Sequence, residues 1–186
     1  IARCNDHFGK MIYYGSGAEF GRENWIPKMK EDYFDNNVPT DQYGLSKYVM
    51  TKHALSTDNI YNLRLFGVFG EYDDWRYRYI SIACCKAALG LPITFKKNVF
   101  FDFLYVKDLS RITEWFINNK PSENVYNVCT GQSYDYKTIA QKIVQICSKS
   151  LQIKPLLKGL GVEYSGDNSK LMNEISDFEF TSIDDG

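Results

Sequence analysis

The chain has 186 residues, 44% of them hydrophobic and 24% charged, the balance of a soluble globular protein with a sizeable core. A formal net charge of −1 gives no bulk attraction to nucleic acid or to an anionic membrane, and no apolar run approaches the ~20 residues that a membrane helix needs. Five cysteines, two of them adjacent (Cys84 and Cys85), spell no disulfide framework and suit a reducing cytoplasm.

The opening "IARCNDHF" carries neither an initiator Met nor a secretion signal and reads as the end of a helix. "KMIYYGS" (10–16) is a short apolar run stopped by Gly-Ser-Gly, which predicts a buried strand. Residues 22–40 have no periodicity and read as a long loop ending at Pro39. Asp41 then caps a helix running to about Leu55. "IYNLRLFGVFG" (60–70) predicts one buried strand, and "WRYRYISIACCKAALG" a helix stopped by Gly90 and Pro92. "ITF" and "VFFDFLY" follow as strands. Tyr105, Leu109, Ile112 and Phe116 fall at helical spacing. "NVYNVCTG" is a strand, and Ile139, Ile143 and Ile146 mark a helix over 135–149. Strands alternating with helices predict an α/β fold around a mostly parallel sheet, without internal repeats or a clean linker. His7 and His53 lie far apart with no Cys-x-x-Cys, which argues against a metal site. The 16% aromatic content comes without a basic stripe, so it predicts packing and pocket lining rather than nucleic-acid stacking.

Two Tyr/Lys pairs stand four residues apart in "TDQYGLSKYVMTK": Tyr43 with Lys47, and Tyr48 with Lys52. Each pair shares a helix face, but at about 100° per residue the two pairs point roughly 140° apart. Ser16 ends the first strand, and open parallel sheets bind ligands outside the carboxyl ends of their strands. Tyr43, in the first turn of the next helix, can reach the same crevice. Tyr43 and Lys47 are therefore the catalytic candidates, and Tyr48/Lys52 a surface or interface pair.

In order, "GSGAEFG", "PTDQYGLSK", "LRLFGVFG", "FDFLYVKDL", "YNVCTG" and "GDNSKL" resemble the extended short-chain dehydrogenase/reductases, the NAD-dependent epimerases and dehydratases of nucleotide sugars. The resemblance covers nearly the whole chain. It implies a Rossmann-like doubly wound parallel sheet, here partial, with a small α/β substrate-binding portion. The division expected is residues 1–72, carrying the catalytic residues, and 73–186, mainly substrate-binding with some elements returning to the sheet. The family's Ser/Tyr/Lys triad carries over as Ser16, Tyr43 and Lys47. NAD or NADP would lie against Tyr43, Lys47, Leu65 and Phe66, and the nucleotide sugar against Ser16, Gly67, Arg76 and Arg78. The chemistry suits the residue types. A free phenol ionises near pH 10, and a neighbouring ammonium favours the phenolate that takes a sugar hydroxyl's proton. The implied activity is epimerase or 4-ketoreductase; a non-catalytic protein on this fold and a dehydratase using a different acid are the alternatives.

Three departures from the family pattern shape that expectation. Ala18 stands where the sugar dehydratases carry an acid, and Glu19, one place on, should face the other side of the segment. Phe101-Asp102 stands where many relatives have Arg-Asp, whose arginine contacts the nucleotide phosphates, and Gly67 replaces a substrate-contacting Asn. No G-x-x-G-x-x-G follows an N-terminal strand, so the sequence reads as a fragment without the half that holds the pyrophosphate and selects NAD or NADP. Alone, it is expected to be inactive, and the open edge of the "KMIYY" strand predicts association with another copy or with the missing segment, a homodimer being expected.

Overall fold

The computed structural model describes residues 5–186. Its elements, in chain order, are β1 (Met11–Ser16), α1 (Gln42–Ala54), β2 (Ile60–Leu65), β3 (Gly67–Phe69), α2 (Tyr79–Ala88), β4 (Ile93–Phe95) and β5 (Phe100–Tyr105). There follow α3 (Val106–Asn118), β6 (Val125–Val128), β7 (Ser133–Asp135), α4 (Tyr136–Ile146), β8 (Ile153–Pro155) and α5 (Ser169–Glu174). The expected mixed α/β architecture is present. β1, β2 and β6 form a parallel sheet in that order, with β1 at its edge. β3 pairs with β5 in parallel and β7 joins β5 antiparallel, while β4 and β8 form a separate parallel pair. No helix among the described residues is long and apolar enough to cross a membrane.

The core follows the apolar periodicity. Leu109, Ile112 and Phe116 of α3 pack on Leu63 of β2 and on Tyr126 and Val128 of β6. A second cluster joins Ile139 and Ile143 of α4 to Ala83 and Ala87 of α2, with Ile93 and Phe103 beneath them. The two alanines present no bulk, so the helices lie close together.

Two expectations need correction. The run 60–70 is not one strand: it breaks at Phe66, and β3 leaves the first sheet to pair with β5. Gly67 makes that crossing, because a Cβ there would stand 2.7 Å from the Asp102 carbonyl oxygen. The second helix begins at Tyr79 rather than Trp75, because Asp74 captures the preceding turn. Its carbonyl accepts from the amides of Tyr77 and Arg78, and its carboxylate from that of Arg76. β7 was not expected; its three residues are too few to show an alternation. The opening helix falls largely outside the described residues, and Asn5–His7 form a single 3-10 turn.

Beneath the carboxyl end of β1 lies a polar cluster with no solvent exposure: Glu19, Thr51, Asn62, Arg64 and Asn127. The Arg64 Nε donates to Glu19, and its Nη1 donates to the Asn127 side-chain oxygen at 2.9 Å. Thr51 donates to the other Glu19 oxygen at 2.8 Å and accepts from Asn62 at 2.6 Å. Burial raises the Glu19 pKa, and the Arg64 guanidinium and Thr51 hydroxyl offset part of the rise. Removing one member of such a pair costs about 3–5 kcal/mol, because the other charge is left buried alone. Arg64→Met should therefore lower the unfolding free energy by that order in urea titrations. Adding Glu19→Gln to it should recover part of the loss, whereas independent sites would give additive losses.

A second buried carboxylate, Asp102, ties β5 to the turn after β6. It accepts from the Thr130 amide at 2.8 Å, the Thr130 hydroxyl at 2.9 Å and the Gly131 amide at 2.7 Å. Burial outweighs these donors and pushes its pKa from 3.8 up to about 6. The native state then holds this proton more tightly than the unfolded chain. The contribution to stability is full below pH 3.8 and is lost as pH rises through about 6. Measured as a difference from Asp102→Asn, stability should fall by about 3 kcal/mol between about pH 4 and pH 7. A difference that stays flat with pH contradicts the shift.

Candidate active site

A cleft of about 980 Å³ opens where β1 and β2 end, and Ser16, Tyr43, Lys47, Leu65 and Phe66 all line it. Ser16, the last residue of β1, caps the 3-10 turn Gly17–Phe20 by accepting from the Ala18 amide at 3.2 Å. Its hydroxyl is also 3.3 Å from that of Tyr164. The capping role that any loop serine can play is thus present alongside the placement in the cleft.

Tyr43 is the second residue of α1, whose N-cap Asp41 accepts from the Gly44 amide at 2.9 Å. Gly44 lets the helix approach the Ser16 turn, since a Cβ there would lie 2.7 Å from the Ala18 carbonyl oxygen. This approach delivers Tyr43 to the cleft, with its side chain half-exposed. One turn on, the Lys47 ammonium donates to the Tyr14 carbonyl at 2.8 Å. It sits 4.8 Å from the centre of the Tyr13 ring and 5.7 Å from that of Tyr43. Its position is therefore fixed by the backbone of β1 and by two aromatic faces. Tyr48 and Lys52 do not line this cleft; both bond to the exposed Asp35, Lys52 at 2.7 Å. Those two hydrogen bonds hold the Asp35 carboxyl below the usual carboxylate range.

Ala18 lines the cleft, while Glu19 turns into the core towards Arg64. It turns away on a 3-10 turn rather than on the extended segment expected. Gly67 and Arg78 line the cleft and Arg76 does not: Arg76 is exposed and grips Asp74 with two nitrogens, at 2.9 and 3.0 Å. Both arginines precede α2 rather than lying within it, and Arg78 is 3.7 Å from Asp73. Phe101 contributes to an aromatic wall, with ring centres 5.2 Å from Tyr164, 5.4 Å from Tyr136 and 5.7 Å from Phe103.

Among the cleft residues that the sequence does not single out are Arg22, Trp25 and Tyr164. Arg22 lies 3.7 Å from the Asp41 carboxylate and over the Trp25 ring, and the Trp25 indole donates to the Gly17 carbonyl at 3.2 Å. "GRENW" directly follows the strand that ends at Ser16, and loops at strand carboxyl ends carry function, so that signal was available. Tyr164 is 148 residues from Ser16, and no local pattern points to it.

The ADP-L-glycero-D-manno-heptose-6-epimerase of Thiobacillus denitrificans is 23% identical over 163 residues, 77% of this chain and 47% of that one. The chain thus spans about half the length of this curated relative. The structure of Thermotoga maritima UDP-glucose 4-epimerase with UDP-glucose superposes with a TM-score of 0.80 at 20% identity, covering all of this chain and 63% of the other. Bacillus anthracis dTDP-glucose 4,6-dehydratase in complex with NAD gives 0.79 at 17% identity, covering 95% of this chain and 58% of that one. These superpositions establish the Rossmann-like fold. A model of the NAD dependent epimerase/dehydratase family matches residues 1–129, well over half of the sequence, and the chain belongs to that family.

Proposed function

We propose that this chain is the catalytic and substrate-binding part of an NAD(P)-dependent nucleotide-sugar epimerase or 4-ketoreductase. The observation that carries the reading is the convergence of Ser16, Tyr43 and Lys47 on one cleft at the carboxyl ends of β1 and β2. Tyr43 moves a proton to or from a sugar hydroxyl, acting as general acid or base. Ser16 hydrogen-bonds the same oxygen, and Lys47 supplies the positive charge beside the phenol. NAD or NADP, bound with its nicotinamide end against Tyr43, Lys47, Leu65 and Phe66, supplies or accepts the hydride. These residues suit that end of the cofactor, since apolar Leu65 and Phe66 face the cleft with the ammonium at hand. Arg22 and Arg78 are the cations available to an anionic nucleotide diphosphate. Gly67, which lines the cleft, offers the sugar backbone rather than a side chain.

The division at residues 72 and 73 belongs to this reading, with β6 returning to the β1–β2 sheet. So does a homodimer, for which Leu45 and Val49 lie exposed one turn apart on α1. A non-catalytic role is disfavoured by the intact triad.

Tyr43→Phe, in the full-length protein carrying this chain, should reduce turnover by roughly 10²–10⁴-fold with unchanged folding, because only the proton-transferring hydroxyl is removed. Tyr48→Phe should stay within about twofold of the parent. Equal losses in the two variants would sink the assignment of helix faces.

Because Ala18 occupies the dehydratase acid's place and Glu19 is buried against Arg64, no water should be eliminated from a nucleotide hexose. Incubating the full-length protein with UDP-, GDP-, CDP- and dTDP-sugars and resolving products by mass spectrometry tests both statements. Epimerised or reduced sugars are expected. Accumulation of a 4-keto-6-deoxy product would show that another acid acts, and no turnover of any nucleotide sugar would remove the enzymatic reading.

A further inference from the structure

We infer that Tyr164 is a positioning residue for the reaction: its buried hydroxyl donates to the Ser16 Oγ and thereby turns the Ser16 proton into the cleft, towards the substrate oxygen. The inference rests on the reading of Ser16 as a substrate contact.

A serine hydroxyl has one proton to donate and two sites at which to accept. The Ala18 amide fills one accepting site of Ser16 at 3.2 Å, and it can only donate. The Tyr164 hydroxyl lies at 3.3 Å, where either oxygen could be the donor. Surroundings decide the direction. The Tyr164 side chain is buried, and among the described residues Ser16 is its hydroxyl's hydrogen-bond partner. A buried phenolic O–H seeks an acceptor, and Ser16 supplies it. If Ser16 donated instead, the phenol's proton would have no acceptor among the described residues. With Tyr164 donating, both accepting sites of Ser16 are filled, and the serine proton is left free to turn to the cleft that Ser16 lines. Burial also raises the phenol's pKa, so Tyr164 keeps its proton across the working range of pH.

Tyr164 is held firmly enough to impose this direction. Its amide donates to the Phe100 carbonyl at 2.9 Å, and its carbonyl accepts from the Asp102 amide at 3.1 Å. Its ring lies 4.1 Å from that of Trp25 and 5.1 Å from that of Phe66, centre to centre. Gly17 makes room for the hydroxyl, since a Cβ there would meet it at 2.8 Å. Ser16 so arranged is an obligate donor. It complements a ketone or alkoxide oxygen better than a hydroxyl that must itself donate, which favours the charge that develops during oxidation or reduction of the sugar carbon.

A double-mutant cycle in the full-length protein separates this from a merely structural role, with UDP-glucose and the other sugars of the panel above as probes. Ser16→Ala should lower kcat at least about tenfold. Tyr164→Phe, which keeps the ring packing, should lower kcat by about three- to tenfold with KM within about twofold. In the Ser16→Ala background Tyr164→Phe should then change kcat by less than about twofold, since there is no serine proton left to orient. Multiplied losses would mean that Tyr164 acts independently of Ser16, and the inference falls while the reading of the site stands. A silent Ser16→Ala removes both. Should Tyr164→Phe fold poorly, 3-fluorotyrosine placed at 164 keeps the ring and the hydroxyl while strengthening the donor. It should alter kcat when Ser16 is present and leave the Ser16→Ala variant unchanged; equal effects in both backgrounds overturn the inference.

Discussion

The buried Glu19–Arg64 pair is the constraint on which the cleft is built. Two opposite charges without solvent exposure are stable only when each is met by its partner and by further hydrogen bonds. Those bonds come from different parts of the chain: Glu19 from the turn after β1, Thr51 from α1, Arg64 from β2 and Asn127 from β6. Satisfying them fixes the turn, the helix and two strands relative to one another. Ser16 stands three residues before Glu19 on that turn, and Lys47 one helical turn before Thr51. The distances among the candidate catalytic groups are therefore set from below, by a network that itself does no chemistry. Phe20 and Phe34 close over the guanidinium, with ring centres 4.3 and 5.5 Å from its carbon, and keep water from weakening the pair.

Above this network, close backbone approach does what side chains cannot. At Gly44 the helix carrying Tyr43 comes against the Ser16 turn, and at Gly17 that turn comes under Tyr164 and Phe66. At Gly67 the chain crosses from one sheet to the other. Each glycine removes a Cβ that would stand under 3.0 Å from a neighbour, so the cleft is drawn together at three points by missing atoms. The aromatic wall of Phe66, Phe101, Tyr136 and Tyr164 then supplies rigid surfaces with few rotatable bonds. Where the family pattern of "FDFLYVKDL" would place an arginine, Phe101 faces other rings. The cations lining the cleft, Arg22, Arg78 and Lys47, come instead from the loop after β1, the turn before α2 and α1.

Legibility in the sequence tracked the range of the interactions involved. β1, α1 with its Asp41 cap, β5, α3 and α4 were readable because their signals lie within a few residues: a glycine stop, a capping side chain, an apolar stripe. The separation of Tyr43/Lys47 from Tyr48/Lys52 was equally local, a matter of helix angle. The break at Phe66 was not, because it depends on Gly67 meeting a carbonyl 35 residues away. The start of α2 was misplaced because Asp74 diverts the amides of the turn before it, and apolar content alone does not report that. Tyr164 and the Glu19 network were beyond reach for the same reason. Their meaning lies in partners brought together only by folding.

The adjacent residues Ala18 and Glu19 show how little separates architecture from chemistry on this turn. Both are buried, yet Ala18 faces the cleft while Glu19 faces Arg64. A carboxyl at 18 would face the cleft; at 19 it is committed to a guanidinium, a threonine and the packing of the sheet. A 3-10 turn advances each side chain by about a third of a revolution, so one position decides between the two roles. Glu19 cannot swing back without leaving Arg64 unpaired in the core, a penalty of several kcal/mol. The turn thus keeps the Glu19 carboxylate out of the cleft by the same contact that holds the cleft together. What lines the cleft around Ala18 is then the hydroxyls of Ser16, Tyr43 and Tyr164 and the Lys47 ammonium, together with Arg22, Arg78 and the Asp73 carboxylate.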